Sequence, residues 1–93
     1  MNAFFEVIVL RKHNVKMKGR KLPSRFVVKA RSVLRATQLV LQEFRATKNT
    51  SCIRLIRSFK LAQPRGEGVL NFTKPVFMRT YLLTAGRLRE IPV

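Results

Sequence analysis

The stretch RFVVKARSVLRATQLVLQEFRA, residues 25–46, decides the fold because it changes from the periodicity of a strand to that of a helix. Over residues 25–31 apolar side chains alternate with mostly basic ones, which is typical of a strand with one buried and one basic face. From residue 33 the apolar positions recur at helical spacing, and Ser32 is suited to cap the helix N-terminus. The sequence therefore predicts a strand over 25–31 and a helix from 33 to about 46.

The segment before this stretch predicts a strand and a loop. Residues 3–11 are rich in Phe, Val and Ile on both faces, which indicates a central strand or one whose second face meets another molecule. Residues 12–23 carry several basic side chains, a Gly and a closing Pro without an apolar period, which predicts a mobile basic loop.

Two more strands are expected after the helix. Residues 51–62 alternate, with Arg57 interrupting the apolar positions, so a bulge or strand edge is expected there. Residues 76–84 have the composition of a fourth strand, and the last residues form a short extended tail. In the third strand Ile53, Leu55, Phe59 and Leu61 are expected on one side, and Arg54, Ser58 and Lys60 on the other.

These elements predict an α+β domain spanning residues 1–93, in β-β-α-β-β order. Strands 1 and 2 form an antiparallel hairpin, and a right-handed crossover through the helix makes strands 2 and 3 parallel. The result is a small mixed sheet of three to four strands with one helix packed on one face. Basic side chains are expected to gather on the uncovered face, namely Arg25, Lys29, Arg31, Arg54 and Lys60.

The net charge points to a polyanionic partner. The 93 residues contain 20 Lys and Arg against 4 Asp and Glu, which gives +16. Self-repulsion of that size opposes a compact fold unless an anionic partner uses it. A hydrophobic fraction of 46% is that of a globular protein and excludes a disordered basic tail.

The charge is also unevenly distributed along the chain. No acidic residue occurs over the 36 positions between Glu6 and Glu43, whereas solvated surfaces usually intersperse both signs. A segregated basic surface is typical of proteins that follow a phosphate backbone. The loop over 12–22 could act as a flexible basic finger, or it could be a tip without a specific role.

Aromatic residues on the uncovered face would add stacking of bases to phosphate contacts. Phe4, Phe59 and Tyr81 are candidates if they lie there, although Phe in a strand is usually part of the core. The predicted nucleic-acid-binding residues are Arg11, Lys12, Lys16, Lys18, Arg20, Lys21, Arg25, Lys29, Arg31, Arg54, Lys60, Arg79 and Tyr81.

The sequence predicts a protein without catalytic activity. His13 is a lone loop histidine, the four carboxylates are scattered, and Cys52 has no histidine near it in sequence. No glycine-rich phosphate loop, zinc-binding spacing or helix-turn-helix pair is present, so no cofactor or metal is expected.

The leading hypothesis is a nucleic-acid-binding protein for DNA or RNA, with a slight preference for single strands. The alternatives are an interaction module or inhibitor that binds an acidic protein, and, with less support, a small RNase of the toxin type. A homodimer is possible, whereas a membrane or a small-molecule substrate is not expected. One cysteine and a short N-terminal apolar run that contains Glu6 favour the cytoplasm, and phage, plasmid or ribosomal accessory roles all suit so basic a chain.

Overall fold

A computed structural model describes residues 2–12, 19, 22–61, 77–84 and 87–91, and for Phe77 and Met78 the backbone alone. A single 3₁₀ turn, Thr50–Cys52, follows the helix. Within these ranges no helix has the length and apolar composition needed to cross a membrane. The elements are β1 (Ala3–Arg11), β2 (Arg25–Ala30), α1 (Val33–Ala46), β3 (Ile53–Lys60), β4 (Phe77–Thr84) and β5 (Arg87–Ile91).

The five strands form one sheet in the order β2-β1-β3-β4-β5, and every neighbouring pair is antiparallel. The predicted α+β class, with one helix on a sheet, is confirmed. The predicted mixed sheet of three to four strands is wrong. β2 and β3 do point in the same direction, but β1 lies between them and pairs with both. The expected tail is a fifth strand, β5, paired with β4.

α1 forms where the sequence predicts it. Ser32 is the N-cap, and its Oγ accepts a hydrogen bond from the Arg35 backbone N–H at 3.1 Å. The helix packs mainly on β1, β2 and β3, and its buried side chains include Val40, Leu41 and Phe44. The Phe44 ring meets the edge of Phe26 of β2, with ring centroids 6.0 Å apart.

The sheet contributes the other half of this core. Phe5, Val7 and Val9 of β1 are all at most 4% exposed and lie on the face that α1 covers. A polar contact also crosses the interface, between the hydroxyls of Thr37 in α1 and Ser58 in β3, 2.6 Å apart. Because both hydroxyls are buried, this contact satisfies groups that water cannot reach.

An irregularity in β3 changes which side chains face the helix. Leu10 pairs with Leu55 while the next residue, Arg11, pairs with Ile53, so Arg54 is an extra residue in β3. The bulge was expected at Arg57, which instead pairs regularly with both neighbouring strands.

As a result of the bulge, the predicted division of β3 into two faces is also wrong. Ile53 and Ile56 are buried on the helix side, whereas Leu55 and Phe59 turn to the opposite face. Ser58 lies on the helix side rather than with the basic residues, because it pairs with the buried Val7.

Candidate nucleic-acid interface

The face of the sheet directed away from α1 has no described element packed on it, and we call it the open face. Since directly opposed residues of neighbouring strands point to the same side, the pairing register assigns its members. Within the described strands these are Phe4, Glu6, Ile8 and Leu10; Arg25, Val27 and Lys29; Leu55, Arg57 and Phe59; Thr80, Leu82 and Thr84; and Arg87, Arg89 and Ile91.

Half of these side chains are apolar. Val27 is 62% exposed, Phe4 37% and Leu82 36%, while Ile8, Leu10, Leu55, Phe59 and Ile91 are half-buried. Several exposed apolar side chains gathered on one face usually mark an interaction site. Phe4 and Phe59 lie near each other, because Phe59 pairs with Glu6, two residues along β1 from Phe4. At such diagonal positions the Cβ atoms are about 7 Å apart.

The charges of the open face are almost all positive. Glu6 is its one described acidic residue, and Arg25 Nε lies 3.5 Å from Glu6 Oε1. The Glu6 carboxylate is nearly buried, while the Arg25 side chain is 75% exposed and still reaches solvent. The basic side chains of the open face are Arg25, Lys29, Arg57, Arg87 and Arg89, all exposed.

Three basic residues of the open face were not among the predicted binding residues, namely Arg57, Arg87 and Arg89. Arg57 pairs with Ile8 and Thr80, which places it in the middle of the sheet among apolar neighbours. In the sequence Arg57 lies two residues after Leu55 and two before Phe59, so all three fall on one face of a strand. This spacing also fits a basic residue on an exposed face. Arg87 and Arg89 alternate with Leu88, and this period of two could have indicated β5 and its basic side.

Of the residues expected on the uncovered face, only Arg25 and Lys29 are assigned there by the register. Arg31 is exposed in the bend between β2 and α1, and Arg54 is the exposed extra residue of the bulge. Lys60 is exposed but pairs with Phe5, so it lies on the helix side. The placement of Arg54 and Lys60 on the open face was wrong because the bulge shifts the alternation of β3.

Tyr81 and Arg79 also lie on the helix side of the sheet. Tyr81 pairs with Ile56 and is 5% exposed. It therefore does not lie on the open face, where it would have to lie to stack on a base. Burial raises the pKa of Tyr81 above its ordinary value of 10.0; the negative charge of Glu90 raises it further, and Arg79 partly opposes both. Arg79 Nε lies 2.7 Å from Glu90 Oε1.

Arg11 is half-buried and lies on the helix side of the sheet, because it pairs with Ile53. Its guanidinium lies over the Phe44 ring, 5.7 Å from the centroid. It donates hydrogen bonds to the carbonyl oxygens of Leu22 and Pro23 and to Ser24 Oγ. These contacts tie the end of β1 to the segment that leads into β2.

The remaining predicted positions divide into described and undescribed residues. Lys12 is exposed just after β1, and its backbone N–H donates to the Cys52 carbonyl oxygen at 2.8 Å. The Cys52 thiol is buried and donates to the Asn49 carbonyl oxygen at 2.7 Å. Lys16, Lys18, Arg20, Lys21 and His13 lie outside the described residues, as do residues 62–76.

A groove of about 360 Å³ lies between α1 and the edge strand β5. Arg35 and Arg45 of α1 line it, together with three leucines and two glutamines. Arg87 of β5 lines it too, so this edge residue, which the register assigns to the open face, also borders the helix side. Arg35 and Arg45 show that exposed arginines also occur away from the open face. Arg35 therefore offers a charge-matched comparison for Arg57.

The open face thus combines two phenylalanines and six aliphatic side chains with five basic residues and one paired carboxylate. The described part of the chain brings no three His, Cys, Asp or Glu side chains together as a metal-binding group. Comparison of the chain with models of protein families, with curated proteins and with solved structures finds no match.

Proposed function

We propose that this protein binds nucleic acid through the open face and has no catalytic activity. The observation that carries the proposal is the composition of that face, where five exposed basic side chains and one paired carboxylate are interspersed with eight apolar side chains. Phosphates supply the negative charge that these residues lack in the protein itself, and binding would release counterions.

The position of the charges supports a ligand that extends across the sheet. Basic residues lie on both edge strands, β2 and β5, and Arg57 lies on the central strand between them. With strands about 4.8 Å apart, five strands span about 19 Å. A ligand with regularly spaced negative charges can contact all three positions, whereas a small anion can contact only one.

Arg57 provides the most direct test. In a titration with oligonucleotides of one length at several salt concentrations, log K should fall linearly with log salt. Arg57→Gln should weaken binding and reduce the magnitude of that slope by about 0.7–0.9, the value for one phosphate contact. Arg35→Gln, on the helix side, removes the same charge and should leave the slope unchanged.

Glu6→Gln supplies a test in the opposite direction. The substitution removes the one described carboxylate of the open face and releases Arg25 from its ion pair. Affinity for nucleic acid should therefore rise while the salt dependence becomes steeper. A flat salt response in the unmodified protein, together with equal effects of the Arg57 and Arg35 substitutions, would refute the proposal and favour an acidic protein as partner.

A further inference from the structure

The apolar part of the open face identifies the form of nucleic acid that this surface fits. Charge attracts phosphates in single strands and duplexes alike, so the five basic residues do not distinguish between them. Eight partly exposed apolar side chains do, because they need an apolar surface to cover them. In a single strand the base faces are such a surface.

We infer that the open face binds single-stranded nucleic acid, with bases stacked on Phe4 and Phe59 and phosphates held by the flanking basic residues. This inference rests on the proposed function. Phe4 is 37% exposed and Phe59 is half-buried, so each is held by its strand and still presents surface to a ligand. Stacking on aromatic rings accepts every base, which suits a chain with no row of base-reading side chains.

The charges around the two phenylalanines are arranged for this mode of binding. Lys29 pairs directly with Phe4, so the two side chains project from neighbouring positions of the same face. Arg57 lies on the same face two residues before Phe59 in β3. A base above either ring therefore has a cation nearby for the phosphate of the same nucleotide.

A duplex fits the open face poorly. Its base faces are covered by neighbouring bases, so the sheet would meet only phosphates, sugars and the edges of bases. The major groove, about 12 Å wide, admits a helix or a two-stranded ribbon, whereas this sheet of five strands is about 19 Å across. The apolar side chains would then face the charged sugar-phosphate backbone of the duplex, which offers no apolar surface to cover them.

A second copy of the chain is also a poor occupant. In a symmetric dimer formed through this face, Arg57 and the edge arginines of both copies would approach one another. Glu6, the one described carboxylate there, is already paired with Arg25. Burying like charges without partners opposes association.

The experiment compares three ligands of equal length: a single strand, the same strand with abasic sites in place of the bases, and the duplex. At one moderate salt concentration the intact strand should bind more tightly than the other two. Each stacked base should contribute about 5- to 140-fold, from roughly 1–3 kcal/mol per base and tenfold for each 1.4 kcal/mol. A fluorescent base analogue in the strand should change its emission on binding.

The phenylalanines are tested by the double variant Phe4→Leu, Phe59→Leu, which keeps the face apolar. It should lose at least about fivefold in affinity for the intact strand and little for the abasic strand. Leu34→Ala, at an exposed apolar position of α1, is the matched control and should bind normally. Circular dichroism and the melting temperature show whether each variant is folded.

The outcomes separate this inference from the proposed function. Equal binding of intact and abasic strands, or tighter binding of the duplex, with a normal salt slope would overturn stacking and leave nucleic-acid binding in place. No salt-dependent binding of any of the three would overturn both. A dimer in light scattering that dissociates in the double phenylalanine variant would assign the open face to self-association and overturn the inference.

Discussion

At the residue scale, arginines of the same acid-free segment have different tasks. Arg11 lies over Phe44 and donates hydrogen bonds to the carbonyl oxygens of Leu22 and Pro23. It therefore stabilises the segment that leads into β2. Arg25 is exposed on the open face beside Glu6. The sequence predicted both as binding residues, because residue type and local charge do not reveal which side chains hydrogen-bond to the backbone.

Tyr81 offers a prediction about pH at this scale. Burial raises the pKa of its phenol above 10.0, and the charge of Glu90 adds to the shift. The folded protein thus holds this proton more tightly than the unfolded chain does. The stabilisation is fully present below pH 10 and is lost as the pH rises through the folded-state pKa. Unfolding at increasing pH should show this loss.

The titration can be followed directly, because Tyr81 is the one tyrosine and the chain has no tryptophan. The tyrosinate absorbance of the folded protein should have its midpoint above 10.0, and that of the unfolded protein near 10. Glu90→Gln should lower the folded midpoint without abolishing the shift, since burial is the larger cause. Identical midpoints in the folded and unfolded protein would contradict the buried position of the ring.

At the scale of elements, local sequence patterns predicted individual strands and the helix well. They did not predict how distant strands pair. The alternation over 25–31 and the helical period from 33 gave β2 and α1 nearly to the residue. The position of β1 between β2 and β3 depends on pairing over many residues, which no local period reveals.

The open face was predicted in part for the same reason. Lys29 and Phe4 followed from simple alternation in their strands. Arg57 was missed because the extra residue Arg54 shifts the alternation of β3, and a bulge cannot be located from period two alone. Once the bulge is included, the same alternation keeps Ile53 on the helix side and turns Leu55, Arg57 and Phe59 to the open face.

The contact between α1 and β3 provides a prediction for two elements. Thr37 Oγ1 donates to the Val33 carbonyl oxygen at 2.8 Å, so Ser58 is the donor in the 2.6 Å contact with Thr37. Thr37→Val keeps the shape of the side chain but leaves the buried Ser58 hydroxyl without an acceptor. The free energy of unfolding should fall by about 1–3 kcal/mol.

Ser58→Ala should cost less, because Thr37 keeps its own acceptor at Val33. The double variant should be no less stable than Thr37→Val alone, since replacing both partners removes the unsatisfied group. Urea unfolding followed by circular dichroism gives the three values. Equal and additive losses from the two single substitutions would show that the hydroxyls do not depend on each other.

At the scale of the whole molecule, the net charge of +16 acts within dimensions of 42 × 29 × 23 Å. The Debye length is about 30 Å at 0.01 M salt and about 10 Å at 0.1 M. At low salt almost every charge therefore repels every other across the folded protein, and the more expanded unfolded chain relieves part of that repulsion. Salt and a polyanionic ligand should both stabilise the fold, by different routes.

The melting temperature should accordingly rise between 0.01 M and 0.1 M NaCl, by about 4–8 °C for each kcal/mol of repulsion that is screened. A neutral osmolyte of matched osmolality should not raise the melting temperature in this way.

A single-stranded oligonucleotide should also stabilise the fold. At low salt and about 100 times its Kd, it should add about 2.7 kcal/mol to the free energy of unfolding. Arg57→Gln should keep the response to NaCl, because that response depends on total charge. It should lose part of the stabilisation by a fixed concentration of the strand, because that stabilisation depends on the open face. If the variant instead loses neither, the oligonucleotide stabilises the protein by screening alone, and the open face is not where it binds.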